Sequence, residues 1–272
     1  MIDSILVHFD TSSSERGARH TLSSCTLVCH TWNALARPYL FRRVSYTLID
    51  DNEVPGTTDL RAILNDLRAF FEHHPELAIH VQQLGLKTIP ANHQFDWNIR
   101  PSAGYHQQLT LMALLSLFPR LDRLDLLDVF IISGPTAELN SQRLSLKTLT
   151  IASRQVEIPS SDVNLLLLCF KEVCNLEVAV VCFFTYRRPE AVCPAFQHLA
   201  VHNLSTRDSM SGTLFTSLAL SPSAHVLHSL SLQGLETSFL PGLQELLAAT
   251  QSNLIHLSLS FNGFWQDERG KS

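Results

Sequence analysis

The chain has 272 residues and a mass of 30.5 kDa, enough for one large domain or two small ones with a sizeable core. Hydrophobic residues make up 45% and charged residues 17%, a balance that offsets the entropy of ordering the chain and excludes disorder as the main description. A net charge of −5 offers no global field for phosphate or anionic lipid, so neither nucleic acid nor a membrane is the expected partner. No apolar run approaches the roughly 18 residues that a membrane span requires. Asp3 and Asp10 stand where a secretory signal would carry a basic head and an apolar stretch. The expectation is an intracellular chain, cytoplasmic or nuclear.

Residues 1–48 read as short helices. Leu22, Cys25, Val28, Cys29, Trp32, Leu35 and Ala36 recur at helical spacing, then Pro38 and a strand-like stretch from Val44 to Leu48 follow. A unit of about forty residues cannot bury enough surface alone, so it must dock on a partner or on what comes next. Residues 49–80 read as a connecting helical region.

From residue 81 to residue 264 one pattern recurs: an apolar residue, two variable ones, a Leu, one variable, and another apolar residue. It occurs at Val81 to Leu86, Leu121 to Leu126, Leu146 to Ile151, Val173 to Val178, Phe196 to Val201, Leu227 to Leu232 and Leu254 to Leu259. The starts are 40, 25, 27, 23, 31 and 27 residues apart, close to the period of leucine-rich repeats after a first interval that holds an insertion. Each copy alternates as a strand does when one face is buried. Between copies, Gln107 to Phe118, Val163 to Lys171 and Leu240 to Thr250 carry the three- and four-residue spacing of amphipathic helices. Pro119 closes one helix, and Pro159-Ser160-Ser161-Asp162 supplies turn and N-cap residues before another. The expected fold is α/β, a right-handed leucine-rich repeat solenoid whose curved parallel sheet carries helices on the convex side, preceded by the small helical unit. A polar tail, 265–272, ends the chain. A doubly wound sheet is the competitor, but no G-x-G-x-x-G follows a first strand.

In such a solenoid the variable strand residues face the concave side. The central column reads Gly85, Asp125, Thr150, Glu177, Ala200, Ser231 and Ser258. One flank reads Gln83, Arg123, Thr148, Asn175, His198, Ser229 and His256, and the other Lys87, Leu127, Ala152, Ala179, His202, Gln233 and Ser260. Arg123, Asp125, Thr148, Thr150, Glu177, His198, His202, Ser231 and His256 are the candidate partner surface.

Other constellations fail on spacing. The six cysteines, Cys25, Cys29, Cys169, Cys174, Cys182 and Cys193, lie in apolar stretches without Cys-x-x-Cys pairs and read as buried thiols. His198 and His202, four apart on one strand, would stand roughly 13 Å from each other and could not share an ion. Gly270-Lys271-Ser272 resembles the end of a phosphate loop, but Gly263 lies too far upstream and no helix follows. Asn203-Leu204-Ser205 matches a glycosylation acceptor that an intracellular chain does not use. No Gly-x-Ser-x-Gly elbow occurs, so no catalytic residue, metal or cofactor is expected, and the chain is not expected to be an enzyme.

Leu22, Cys25, Val28, Cys29 and Trp32, followed by Arg37-Pro38-Tyr39-Leu40-Phe41-Arg42-Arg43-Val44, resemble the second half of an F-box. Phe70-Phe71-Glu72-His73-His74-Pro75-Glu76-Leu77 and Val81 to Leu86 are similar to the region after the F-box in fungal F-box proteins with degenerate leucine-rich repeats. The resemblance implies a substrate-recognition subunit of a ubiquitin ligase, docked through a Skp-type adaptor to a cullin, with the repeats holding a protein substrate. Leu22, Cys25, Val28, Cys29, Trp32, Leu40 and Phe41 would then supply either the adaptor contact or the helix packing beneath it. The Leu-Pro pair that normally opens an F-box has no counterpart in Met1-Ile2-Asp3-Ser4-Ile5-Leu6. The alternative is therefore a repeat scaffold that no longer joins the ligase.

Overall fold

The computed structural model describes residues 24, 27, 29–50, 60–90, 107–129, 143–153, 163, 166–180, 198–207, 212–235 and 239–261. Helix α1 (His30–Leu40) carries Pro38 in its last turn, closes with the Phe41 N–H on the Arg37 carbonyl, and leads into strand β1 (Arg43–Asp50). Helix α2 (Leu60–His73) is followed by a single turn, α3 (Pro75–Ala78), whose first residue is the proline that a helix interior would not admit. Then come β2 (Gln83–Pro90), α4 (Gln107–Leu115), β3 (Arg123–Leu127), β4 (Leu144–Ser153), β5 (Phe170–Val180) and β6 (Ala200–Arg207). The chain continues with α5 (Gly212–Ala219), α6 (Ser223–Val226), β7 (Ser229–Leu235), α7 (Leu240–Thr250) and β8 (His256–Phe261).

The fold is α/β. The strands form one eight-stranded sheet in chain order, and every pair whose register is described is parallel. The sheet starts one strand earlier than the leucine pattern, because β1 pairs with β2 from Arg43 opposite Gln83 to Asp50 opposite Pro90. By packing, the chain divides into two units, Met1–Lys147 and Thr148–Ser272.

A local break in the approach to β2, β3 and β8 accounts for the apolar-x-x-Leu-x-apolar spacing there. On a regular strand, residues three apart face opposite sides. Val81, Leu84 and Leu86 are nevertheless all buried, as are Leu121, Leu124 and Leu126. Between the first and second of these, two successive amides share one acceptor: Gln82 and Gln83 N–H donate to the Arg42 carbonyl at 2.9 and 3.0 Å, and Asp122 and Arg123 N–H to the Gln82 carbonyl at 2.8 and 3.0 Å. The extra residue kinks the backbone, as a bulge does, and turns the first apolar side chain back into the core. The second unit repeats the device at Ile255 and His256, which donate to the His228 carbonyl at 2.8 and 3.0 Å.

Helices add to the same buried set. In the first unit Leu64 and Phe71 of α2 join Leu111, Leu114 and Leu115 of α4, and Phe71 meets Phe118 edge to face at 4.8 Å. In the second, Leu214, Phe215 and Leu218 of α5 join Leu243 and Leu246 of α7. Gly234 (φ 76°) occupies the left-handed region at the bulge that shifts the β7–β8 register between Gln233 and Leu235, a conformation glycine adopts without Cβ strain.

Three expectations are corrected. The helix expected over Val163 to Lys171 is overtaken by β5 at Phe170; among the described residues before it, Val163, Leu166 and Leu167 are helical. The fifth repeat is misframed: Leu176 stands opposite Leu204 rather than Leu199, and Val173 opposite Val201. Its true frame is Val201-x-x-Leu204-x-Thr206, with a buried Thr in the last apolar position. The residues of the expected frame precede this kink, where the fully buried Ser223 hydroxyl accepts from Val201 N–H at 3.0 Å and donates to the Leu199 carbonyl at 2.9 Å. Finally, the cysteines are not uniformly buried: Cys169 is, Cys29 is exposed beside the start of α1, and Cys174 is half-buried, while Cys25, Cys182 and Cys193 lie outside the described residues.

Two outcomes are expected. Leu204→Ala, which empties a core position, should cost about 2–5 kcal/mol by urea denaturation, whereas Ser205→Ala beside it should stay within about 0.5 kcal/mol; equal effects would contradict the frame. The pKa of His80 is lowered from 6.5 by burial, and by Arg120 in addition. The unfolded chain therefore binds that proton first, so stability present above pH 6.5 is lost as pH falls through that value, and His80→Gln should flatten this part of the profile.

Candidate functional site

The kink that turns one set of side chains into the core presents the alternate set on the opposite, open face of each unit. In Met1–Lys147, strand register gives three rows: Arg43, Gln83 and Arg123; Ser45, Gly85 and Asp125; Thr47, Lys87 and Leu127. Arg123 Nε lies 2.8 Å from Asp125 Oδ2, an exposed pair that holds both side chains along the strand. A Cβ at Gly85 would meet Ser45 Oγ at 3.5 Å, ordinary contact, so this glycine leaves a gap in the row without a steric demand for it.

In Thr148–Ser272 the rows are Asn175, Asn203, Ser229 and His256; Glu177, Ser205, Ser231 and Ser258; and Ala179, Arg207, Gln233 and Ser260. Neighbours bond across strands, Asn203 Nδ2 donating to Asn175 Oδ1 at 2.8 Å and Thr150 Oγ1 to Glu177 Oε2 at 3.5 Å. These rows supply hydroxyls, amides and a few charges of both signs, spaced about 4.8 Å apart across the sheet. Such a surface can form hydrogen bonds with a protein partner.

Of the expected surface, Arg123 and Asp125 are brought together in one unit, and in the other Thr150 with Glu177, and Ser231 and His256 on adjacent strands. Thr148 is half-buried on β4. His198 and His202 do not belong to these rows. His198 is exposed ahead of β6, and His202 sits at the kink, where its Nε2 meets Glu172 Oε1 at 3.1 Å and its ring stacks on His228 at 5.9 Å. Asn203, Ser205 and Arg207 take the places assigned to His198, Ala200 and His202. The interval between repeats carries the missing signal: with Val201 as the start, the intervals on either side become 28 and 26 residues instead of 23 and 31.

At the N-terminal end, Leu22, Cys25 and Val28 lie outside the described residues. Cys29 flanks α1 and is exposed, whereas Trp32 and Leu40 on the helix and Phe41 just after it are half-buried. Among the described residues no helix is long and apolar enough to cross a membrane. The chain matches no protein-family model and no curated protein.

If the open rows are recognition rather than packing groups, Arg123→Ala and Glu177→Ala should each change folding stability by less than about 1 kcal/mol, since the exposed Arg123–Asp125 ion pair and the long, exposed Thr150–Glu177 hydrogen bond contribute little. Chemical denaturation checks this, and a loss above about 2 kcal/mol would assign those side chains to the fold instead.

Proposed function

We propose that this chain is a non-catalytic protein-recognition subunit: a leucine-rich repeat array whose open face holds a protein substrate, and whose F-box-like N-terminal segment docks on a Skp-type adaptor of a cullin ubiquitin ligase. The observation that carries the adaptor contact is the packing of α1. Among its described residues only Ala36 is buried, and Trp32, Leu35, Tyr39 and Leu40 remain half-buried in a helix that bears the F-box-like motif. Partly covered aromatic and aliphatic side chains on one helix are what a partner's groove can cover further. The polar rows of each unit support the substrate role, because buried leucines on one face of the strands leave the other face free to vary without cost to the core.

One observation favours a second reading, a repeat scaffold outside any ligase. Only two residues separate α1 from β1, and β1 is paired with β2 along eight positions. The Arg42 side chain also donates to Gln82 Oε1 at 2.8 Å, so this segment is tied directly to the first repeat and can serve as its cap. The two readings share residues and differ in one binding event.

A pull-down of the purified chain with a Skp-type adaptor decides between them. The ligase reading expects binding that a Leu22→Ala, Trp32→Ala double variant weakens at least tenfold, loss of one such anchor being worth about 2–4 kcal/mol at an interface centre. No binding by a wild-type chain shown to be folded would leave the scaffold.

A further inference from the structure

The kink row brings together three side chains that sequence spacing separates. Val173 stands opposite Val201 and Asn175 opposite Asn203, which puts Cys174 across from His202 on the neighbouring strand, with Glu172 two residues before the thiol. One ligand atom from each of Glu172, Cys174 and His202 lies within 4.8 Å of the other two, and all three residues are half-buried. The separation between Glu172 Oε1 and His202 Nε2 is 3.1 Å. Bonds of about 2.0–2.3 Å arranged as a tetrahedron put neighbouring ligand atoms about 3.3–3.7 Å apart. The carboxylate and imidazole stand slightly closer than that. The thiol lies within 4.8 Å of both, and a rotamer change on a half-exposed strand position can bring it to the same spacing.

We propose that Glu172, Cys174 and His202 form a binding site for a divalent transition-metal ion of the zinc class. The donor set selects the ion: thiolate and imidazole favour a borderline or soft metal, whereas calcium and magnesium take oxygen ligands. Three protein ligands leave a fourth position for water or for a donor brought by a bound protein. Binding displaces the thiol proton and competes with protonation of the imidazole, so affinity falls as the solution is acidified. The site stands independently of the ligase reading, because its ligands lie on β5 and β6 and its test involves no adaptor.

Cobalt(II) titration of the full-length chain under reducing conditions, followed by absorbance, tests the site, with zinc displacement as a second readout. The expected result is a saturating thiolate-to-cobalt charge-transfer band at one equivalent, which zinc abolishes. Cys174→Ser should remove the band, His202→Ala and Glu172→Gln should weaken binding, the former by at least about 100-fold, and His225→Ala, at an exposed position of α6, should change nothing. Circular dichroism of the metal-free variants establishes folding, and should Cys174→Ser fail to fold, the His202 and Glu172 variants decide. No saturable binding by the wild type, or a band that persists with unchanged affinity in the folded variants, would overturn the proposal and leave Glu172 and His202 as a hydrogen-bonded pair.

Discussion

Two consecutive backbone amides donating to one carbonyl of the preceding strand hold this structure to its repeat. At Gln82 and Gln83 on Arg42, and again at Asp122 and Arg123 on Gln82, the shared acceptor absorbs the extra residue that a strictly alternating strand could not place. Without it, Val81 and Leu84 would face opposite sides of the sheet, and each of these two repeats would lose a third of its buried apolar triplet. Burying such a side chain is worth about 1.5–3 kcal/mol, so repetition of the kink matters more to the fold than any single contact.

The same device creates two polar populations. Beyond the kink, alternate strand residues look out from the open face and are free to carry hydroxyls, amides and charges. At the kink itself, the residue next to the shared carbonyl points along a separate row. In the first unit that row pairs Arg42 with Gln82 and Asp122 with Lys147, the latter at 2.8 Å. In the second it stacks His202 on His228 and sets His202 against Glu172. A parallel sheet in chain order makes such rows unavoidable, because like positions of successive repeats always become neighbours.

Ser223 shows how a polar group outside the pattern can fix it. Its hydroxyl is both acceptor and donor to the backbone just before β6, and it is fully buried, so its removal would leave two polar groups of Leu199 and Val201 unsatisfied. This bond holds the stretch 199–201 ahead of the strand centre. Thr206, 2% exposed, occupies the last apolar position of the repeat. A pattern that admits only apolar residues passes over it and settles on Phe196 to Val201, five residues early.

The sequence by itself determined the strand periodicity, the helices that became α4 and α7, the leucine frame of six of the seven repeats, and the low net charge. These are local or periodic properties, and hydrophobic spacing records them directly. The resemblance of Leu22 to Trp32 to half an F-box is a property of the sequence alone, whereas whether α1 caps the sheet or meets an adaptor depends on a surface beyond the motif. The tertiary structure decided three things: that β1 joins the sheet, that Asn203, Ser205 and Arg207 replace His198, Ala200 and His202 on the open face, and that Glu172, Cys174 and His202 converge. Each depends on register between strands some thirty residues apart, as His202 is from Glu172. Register is set by backbone hydrogen bonds and by a buried serine on a later helix, and neither leaves a periodic trace in the residues it aligns.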